Sequence, residues 1–358
     1  MQTLPYSALR NQHISHVYEL YYTAFELLRK VTEVRNLNDN DKLCEVIKLC
    51  LREHLAVIPR LAMGILEIQD SVSPEECDRL MTTLLRSRIS RRVIAEQHLA
   101  LTETMHSPWH FEGKASSVAP EDEFVGEIFL KCNAKEIIEK CAKTASDLTA
   151  KAYGRDVKIP KIVLQGHLET TFPYIPSHLE YIIGELLRNS IQGVVEQQKH
   201  TTTTVADPPP IEVLICEAAQ HVLIRVSDHG GGVDRELLPY LWSFAKGPRR
   251  NKRLQNLGRV PRLAATMQEL QLPPSDPDRA EVGVSGETFG SSLASLSSRP
   301  PDLRLGIGLP MSRIYAEYWA GSLEIHSLEG YGCDAFLQIS RLGNKNEVLS
   351  TRATMDAV

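Results

Sequence analysis

Hydrophobic positions change their spacing near residue 155. Before that point apolar residues recur three and four positions apart, as on one face of an amphipathic helix, so residues 12 to about 155 are predicted to be helical. The expected helices cover about 12–28, 43–58, 73–103 and 133–154. Helices of this length joined by short polar loops predict an antiparallel bundle.

Two helix starts in this half carry recognisable caps. Ser73 precedes Pro74, and Glu76 follows three positions after the serine, which is the pattern of a capping box with proline at the first helical position. Asn133 is expected to cap the last helix of the bundle, and Gly154 to end it.

Beyond residue 155 the apolar runs become short and rich in branched side chains, as in strands. The predicted elements are strands at 161–164, 211–215 and 222–226, helices at 177–198 and 309–320, and a closing hairpin at 322–339 turned at Glu329-Gly330. The second half is therefore predicted to be a mixed α/β sandwich. Segments 199–210 and 246–303 are rich in Thr, Pro, Ser, Gly and charge, and are predicted to be a loop and a long mobile lid.

Charge and cysteine content argue against several classes of protein. The 358 residues carry 40 Lys plus Arg against 45 Asp plus Glu, without the basic excess that nucleic-acid binding usually needs. No window approaches the ~20 consecutive apolar residues that cross a bilayer, so no membrane span is expected. Seven scattered cysteines without CxxC spacing argue against a disulfide framework and a structural zinc site, and favour a reducing compartment.

Glu185 and Asn189 are the first candidates for chemistry. They lie four positions apart in a predicted helix, so they share one helical face. An Asn carboxamide oxygen is an uncharged ligand suited to Mg²⁺, and a carboxylate one turn away can orient or deprotonate an attacking hydroxyl. A solvated polar stripe is the alternative interpretation, and for such a pair alone the more common one.

Asp228 and the glycines at 230–232 follow the strand predicted at 222–226. Glycines at this position let the backbone approach a ligand closely. The Asp228 carboxylate can accept a hydrogen bond from an exocyclic amine such as that of adenine. An ordinary tight turn is the alternative.

A second glycine-rich segment, Gly306-Ile307-Gly308-Leu309-Pro310, runs into the helix predicted at 309–320. Free amides and the helix dipole at such a start form a site for phosphate, and Pro310 suits the first turn. A flexible loop ahead of an ordinary helix start is the alternative.

In this order the three elements resemble the N, G1 and G2 boxes of the ATPase/kinase superfamily that includes histidine kinases, type II topoisomerases and MutL proteins. The mitochondrial pyruvate dehydrogenase kinases and branched-chain 2-oxo-acid dehydrogenase kinase are similar in ELLRNSIQGVVE, IRVSDHGGGV, GIGLPMSRIYAEYWAGSLEIHSLEGYGCDAF and SRISRRVIAEQHLAL. This resemblance extends over nearly the whole chain and is weakest in the lid. It implies an α+β fold, in which an N-terminal antiparallel helical bundle is followed by a histidine-kinase-like (Bergerat) α/β sandwich.

The resemblance also implies a division into domains. Residues 1–155 would be a helical bundle that docks a partner, and 156–345 an ATP-binding kinase domain with its lid at 246–303. Residues 346–358 would form a tail.

Roles for single residues follow from the resemblance. Glu185 would be the general base toward a substrate Ser hydroxyl, Asn189 the Mg²⁺ ligand, and Asp228 the residue that binds adenine. All three are expected to border the nucleotide, together with Gln192, Gly230, Gly232, Gly306, Ile307, Gly308, Leu309, Pro310 and Cys333.

The implied activity is that of an ATP- and Mg²⁺-dependent protein serine kinase that inactivates the E1 component of a mitochondrial 2-oxo-acid dehydrogenase complex. Implied partners are E1 as substrate, the lipoyl domain of the E2 core on the helical bundle, and a second copy in a homodimer. The implied location is the mitochondrial matrix, although the first twenty residues resemble neither a secretory signal nor a good presequence.

Some positions depart from the family pattern. Arg304 stands where the first glycine of the G2 box is usual, so it can crowd a phosphate or add charge to it. Cys333 stands where a Thr is usual. The predicted lid is longer than expected, with Gly247-Pro248 near the place of its usual hydroxyl pair, and the similarity begins inside the family's helical domain.

Tyr181 lies one turn before Glu185, where pyruvate dehydrogenase kinases commonly have His, and in this it resembles the branched-chain enzyme. Simple packing beneath the helix is the alternative for this tyrosine. In the helical half, a solvated helix face is predicted for the basic run and a nearby histidine, in preference to a phosphate or partner contact. These residues are Arg86, Arg88, Arg91, Arg92 and His98.

Two other functions stay open at the level of sequence. A catalytically weak docking protein would bind the dehydrogenase core and ATP without transferring phosphate. A protein histidine kinase would need an accessible acceptor His followed by an acidic residue, whereas His98 is followed by Leu99.

Overall fold

The first half of the chain is built mainly from helices. The computed structural model describes residues 6–31, 33–106, 124–154, 157–200, 207–247, 250–257 and 304–341. Its helices in this half are α1 (Tyr6–Leu9), α2 (Gln12–Arg29), α3 (Leu37–Glu53), α4 (Val57–Glu67), α5 (Pro74–His106) and α6 (Ala134–Tyr153). Because α4 packs on both α2 and α5, and α3 on α5, the predicted helical bundle is present.

Helix caps lie where the sequence places them. The Ser73 amide donates to the Glu76 carboxylate, and the Glu76 amide donates to Ser73 Oγ, both at 3.3 Å, so the capping box is formed. Asn133 Oδ1 accepts from the Lys135 amide at 2.9 Å. Gly154 ends α6 with a φ of +83°, a conformation that favours glycine.

The predicted helix over 43–58 is wrong at its end. The helix α3 ends at Glu53, a 3₁₀ turn covers His54–Ala56, and α4 begins at Val57. Pro59 lacks an N–H and its ring would clash with the carbonyl four residues earlier, so α3 cannot continue through it. The helix α4 was not predicted as a separate element. Nine of its eleven residues are buried, and Arg60 and Glu67 lie on its less buried side.

The prediction of helix is also wrong for residues 124–133, which form strands. The strands β1 (Phe124–Val125) and β2 (Ile128–Asn133) pair antiparallel across Gly126, whose φ is +62°. The strand β4 (Thr171–Tyr174), also unpredicted, completes a sheet of order β1-β2-β4. These strands are too short to show an alternating pattern, and β2 finds its partner about forty residues away.

A five-stranded sheet organises the described part of the second half. Its strands are β3 (Ile162–Gly166), β5 (Ile211–Glu217), β6 (His221–Asp228), β7 (Ser322–Leu328) and β8 (Gly332–Ser340), in the order β3-β5-β6-β8-β7. The β3–β5 pair is parallel and the others are antiparallel. Alternate residues of β5 and β6 are buried, and α7 (Pro176–His200) and α8 (Gly308–Tyr318) pack on the sheet. The predicted strands, the two helices and the hairpin at Glu329-Gly330 are confirmed.

The first described part of the predicted lid has regular structure, and the lid itself stays a prediction. Residues 250–257 are helical, and Leu257 is fully buried. Within the predicted loop 199–210, residues 199 and 200 belong to α7. The rest of the lid (258–303), Pro248, residues 201–206 of the loop and the tail 346–358 lie outside the described residues.

The helical bundle and the sheet domain share a packed seam. Helix α6 packs along α7, and α5 packs on α8. Between α5 and α8, the side chains of Leu85, Ile89, Met311 and Tyr315 leave no room for a water molecule. The domain boundary at 155/156 stays a prediction. Among the described helices, none combines the length and the apolar character needed to cross a membrane.

Candidate active site

Helix α7 holds Glu185 in a buried position, with 1% of its surface exposed. The apolar residues beside it on the helix are buried as well: Ile182, Ile183, Leu186 and Leu187. Arg188 Nη2 donates to Glu185 Oε2 within this core. Burial raises the pKa of Glu185 above the ordinary 4.5, and the Arg188 charge opposes the rise. A solvated polar stripe is therefore excluded for Glu185, and a raised pKa suits a proton acceptor.

Asn189 lies one turn further along α7 and is exposed, so its carboxamide is accessible from solvent. Gln192 is buried, and its Nε2 donates to Glu196 Oε1 at 3.3 Å. The predicted shared face of Glu185 and Asn189 thus runs from the protein interior to the surface within one helical turn.

Asp228 ends β6 as a buried carboxylate with a set of local donors. Ser190 Oγ of α7 donates to Oδ2 at 2.7 Å, while the amides of Gly230 and Cys333 donate to Oδ1 at 2.9 and 3.3 Å. A carboxylate has acceptor sites for about four hydrogen bonds, so these three donors leave room for an exocyclic amine of a ligand. The local bonds also fix the direction in which Asp228 points.

The glycine turn after Asp228 lies directly against α7. A Cβ built on Gly230 would lie 2.8 Å from the carbonyl carbon of Gly193, closer than real Cβ atoms approach. Gly232 has a φ of +71°, and a Cβ there would strike the carbonyl of Leu328. This turn therefore requires glycine at both positions, and Gly230 allows its close approach to α7.

The second glycine turn leads into α8. Gly306 has a φ of +70°, and Ile307 occupies the N-cap position without a side-chain cap. The first-turn amides of α8 at Gly308 and Leu309 are not covered by such a cap, whereas Pro310 has no N–H to offer. This start of α8 has the features of a phosphate site.

Arg304 and Cys333 depart from the family pattern. The structure shows which local contacts each of them makes. Arg304 Nη2 pairs with Glu196 of α7, so its charge is directed toward that carboxylate. Cys333 Sγ lies 3.4 Å from Ser327 Oγ, and burial raises the pKa of the thiol. The contribution of Cys333 to Asp228 comes from its backbone amide, which any residue except proline could supply.

Tyr181 packs beneath α7, as the alternative interpretation of this residue had it. It is 1% exposed, its ring lies 5.5 Å from that of Tyr315, and its hydroxyl donates to Met311 Sδ at 3.6 Å. It thereby joins α7 to α8, the two helices that carry the proposed catalytic and phosphate-binding groups.

The prediction of a solvated basic face on α5 is wrong for two of its residues. Arg88 and Arg92 are 4% and 9% exposed, because α5 is covered by α4 on one side and by α8 on another. Arg86 pairs with Glu317 of α8, and Arg91 lies over the ring of Tyr21.

Some side chains of this region were not predicted. Arg188 had a local signal, since it lies three positions after Glu185 on the same helix. Ser190 follows Asn189 directly, but its contact with Asp228 depends on how α7 packs on β6. Arg253 bonds to carbonyls on both sides of the predicted lid, and the sequence carries no signal for this.

Comparison with known proteins agrees with this geometry. Residues 1–129 match the family model described as mitochondrial branched-chain alpha-ketoacid dehydrogenase kinase. A Saccharomyces cerevisiae protein named pyruvate dehydrogenase (acetyl-transferring) kinase 2, mitochondrial, is 32% identical over 96% of this chain and 73% of its own length. An Arabidopsis thaliana protein named pyruvate dehydrogenase (acetyl-transferring) kinase, mitochondrial, is 29% identical over 98% and 81%.

A Homo sapiens protein named pyruvate dehydrogenase (acetyl-transferring) kinase isozyme 1, mitochondrial, is 26% identical over 95% of this chain and 68% of its own length. The resemblance first noted in the glycine turns and in α7 thus extends along almost the entire sequence. This chain belongs to the mitochondrial pyruvate dehydrogenase kinase family.

Proposed function

We propose that this chain is an ATP-dependent protein serine kinase that phosphorylates and inactivates the E1 component of a mitochondrial 2-oxo-acid dehydrogenase complex. One observation carries the proposal: the first glycine turn and the helix that the second one leads into, α8, both pack on α7. Gly230 lies against Gly193, α8 packs on α7, and Arg304, two residues before the second turn, pairs with Glu196 of α7. Between an adenine-side turn and a phosphate-side turn, that helix presents a buried carboxylate and an exposed carboxamide.

Within this site each group has one proposed role. Asp228, oriented by its local donors, accepts a hydrogen bond from adenine. The amides at Gly308 and Leu309 bind phosphate oxygens, and Glu185 accepts the proton of the attacking Ser hydroxyl. Gln192, Gly232, Gly306, Ile307, Pro310 and Cys333 shape the walls of the same site. Phosphoryl transfer depends mostly on positioning and charge neutralisation, which these groups supply.

Asn189 is the proposed Mg²⁺ ligand. Mg²⁺ is usually coordinated by one or two side-chain oxygens together with substrate phosphates and water. The exposed carboxamide oxygen of Asn189 suits this coordination. The metal would neutralise phosphate charge during transfer. The role of the chain is to hold that carboxamide one turn from Glu185.

Replacing Asn189 with Ala tests the metal assignment. The variant is expected to bind MgATP at least about tenfold more weakly, because one direct ligand is lost, and to bind ATP in EDTA like the wild type. Isothermal titration with and without Mg²⁺ measures both values. Equal weakening in the two buffers would contradict the assignment.

The helical bundle is the proposed docking surface for the lipoyl domain of the E2 core, and a homodimer is the proposed assembly. Both are proposed from the resemblance to the family. Location in the mitochondrial matrix is proposed as well, since the named relatives are called mitochondrial. The family model names a branched-chain complex while the full-length relatives name pyruvate dehydrogenase, so the two E1 substrates are competing proposals.

The decisive experiment offers the full chain both substrates. Purified pyruvate and branched-chain E1 components are incubated separately with the protein, MgATP labelled at the γ-phosphate, and then with acid. We expect an acid-stable phosphoserine on one E1, found by phosphosite mapping, and loss of the activity of that E1. Samples without the kinase are the control.

Two other outcomes would replace the proposal. Tight binding of ATP without transfer to either E1 would favour the docking protein. An acid-labile label on the chain itself would favour a histidine kinase. His98 is followed by Leu99 and not by the acidic residue that such an acceptor would need, which argues against the latter.

A further inference from the structure

A short segment links the phosphate-side turn to the helical bundle. We call residues 242–247 and 250–257 the connector. Near its start Phe244 is 3% exposed, and hydrogen bonds hold its peptide groups from two sides. The Phe244 amide donates to Asp78 of α5 at 2.8 Å, and the Phe244 carbonyl accepts from Arg253 Nη2 at 2.7 Å.

Arg253 ties the connector to the second glycine turn. Its Nε donates to the Leu305 carbonyl and its Nη2 to the Gly306 carbonyl, at 3.3 and 3.2 Å. Its Nη1 donates to the Lys246 carbonyl at 3.3 Å. The side chain is 9% exposed, and burial lowers the pKa of its guanidinium. Among the described residues, the hydrogen bonds of this guanidinium all go to backbone carbonyls, so its position sets the path of the backbone around it.

The space around Gly306 is also matched to the side chain of Arg253. Besides its φ of +70°, it has no space for a side chain, because a Cβ built there would collide with the guanidinium of Arg253. The absence of a side chain at Gly306 and the position of Arg253 are therefore matched. The turn ahead of α8 has its shape partly because this guanidinium lies against it.

Asp78 anchors the other side of the connector. Its Oδ1 accepts from the Phe244 and Ala245 amides at 2.8 and 3.0 Å, and its Oδ2 accepts from Ser243 Oγ at 2.5 Å. A single carboxylate of the bundle thus binds three consecutive residues of the connector.

Further contacts hold the same corner of the bundle to the connector. Lys246 pairs with Glu75, and Arg250 pairs with Asp70 through both carboxylate oxygens. These pairs are more exposed than Asp78 and are expected to contribute less.

We propose that Arg253 is a positioning residue for the phosphate-side glycine turn, and that Asp78 holds the connector peptide against which Arg253 is braced. Nucleotide affinity then depends on a contact made by the helical bundle. This inference rests on the proposed nucleotide site, because it assumes that the turn at 305–308 faces phosphate. Neither residue touches the nucleotide in this account.

The first test replaces Arg253 with Met, which keeps much of the side-chain length and removes all the donors. We expect ATP to bind at least about tenfold more weakly, because a turn without its bracing bonds must be ordered by the ligand. Adenosine binding, measured by competition against a fluorescent ATP analogue, is expected to stay within about twofold, since Asp228 is unaffected. The kinetic counterpart is a raised KM for ATP with kcat changed less than about threefold.

Conservative variants separate geometry from charge. Arg253→Lys is expected to behave like Arg253→Met, because an ammonium cannot reproduce the forked geometry of the guanidinium. Lys252→Met removes a positive charge from the neighbouring exposed position and is expected to leave both affinities unchanged. Asp78→Ala is likewise expected to weaken the binding of ATP while leaving the binding of adenosine unchanged. Asp78→Asn is expected to restore binding, since a carboxamide oxygen can still accept the two amides while its NH₂ donates to Ser243 Oγ.

The outcomes are distinguishable. Wild-type protein that binds no nucleotide would overturn the proposed function itself. Wild-type binding with unchanged ATP affinity in Arg253→Met, or with equal loss of ATP and adenosine, would overturn the positioning role alone. If circular dichroism shows that Arg253→Met does not fold, Asp78→Ala and Asp78→Asn decide by the same comparison of ATP with adenosine: selective ATP loss restored by Asn supports the role, and any other pattern overturns it.

Discussion

Replacing Glu185 with Gln is expected to lower the rate of phosphate transfer about 10²–10⁴-fold, the usual contribution of a general base. Affinity for MgATP is expected to change less than about threefold, because the adenine and phosphate contacts proposed for Asp228 and for Gly308 are unaltered. Single-turnover transfer to E1 measures the first quantity, and isothermal titration with a non-hydrolysable analogue measures the second.

The pH profile gives this prediction a second readout. A base must be deprotonated to act, so wild-type turnover falls as pH drops through the pKa of Glu185. Because burial raises that pKa, the fall is expected above the ordinary carboxyl value of 4.5. The residual activity of Glu185→Gln is expected to lack this acid limb.

Stability must be followed in the same samples. Gln at position 185 leaves the buried guanidinium of Arg188 without its charge partner, which costs about 3–5 kcal/mol in typical buried pairs. Glu180→Gln is the matched control, since Glu180 lies on the same helix and pairs with Lys140 at the surface. Turnover of Glu185→Gln equal to that of Glu180→Gln, with both folded, would remove Glu185 from the mechanism.

Replacing Asp228 with Ala is expected to weaken nucleotide binding at least about tenfold, and more where local order is also lost. Hydrogen bonds to a charged group contribute about 1.5–3 kcal/mol each, and one bond to adenine alone corresponds to about 10–100-fold in affinity. Loss of the acceptor also frees the donors at Ser190, Gly230 and Cys333. The first glycine turn is then expected to lose its fixed shape.

Adenosine is the ligand that distinguishes this variant from Arg253→Met. Asp228→Ala is expected to bind both adenosine and ATP more weakly, whereas Arg253→Met is expected to bind only ATP more weakly. The control is Asp234→Ala, because Asp234 is an exposed acid in the loop that follows the same turn. Adenosine bound equally by Asp228→Ala and Asp234→Ala would refute the adenine-binding role of Asp228.

Local chemistry accounts for what the sequence could predict. The capping box at Ser73, the cap at Asn133 and the hairpin turned at Gly330 each depend on residues within a few positions, and all are present. The order of the acidic helix and the two glycine turns was likewise legible, because each motif is continuous in the chain.

Features that depend on distant partners were missed. The strand β2 pairs with a strand that lies beyond α6, and most of α4 is buried by neighbouring helices. Arg88 looks like a surface residue in sequence and is buried because α4 and α8 cover α5. Arg253 gains its importance from Gly306, 53 positions away, within a segment whose composition suggested only a mobile lid.

The seam between the bundle and the sheet domain has a thermodynamic consequence. Buried residues of α4, α5, α7, α8 and the five-stranded sheet belong to one continuous cluster, so neither half has a separate apolar interior. The two halves are therefore expected to unfold together in a single cooperative transition. A substitution deep in the helical bundle is therefore expected to affect the proposed site of phosphate transfer without touching it.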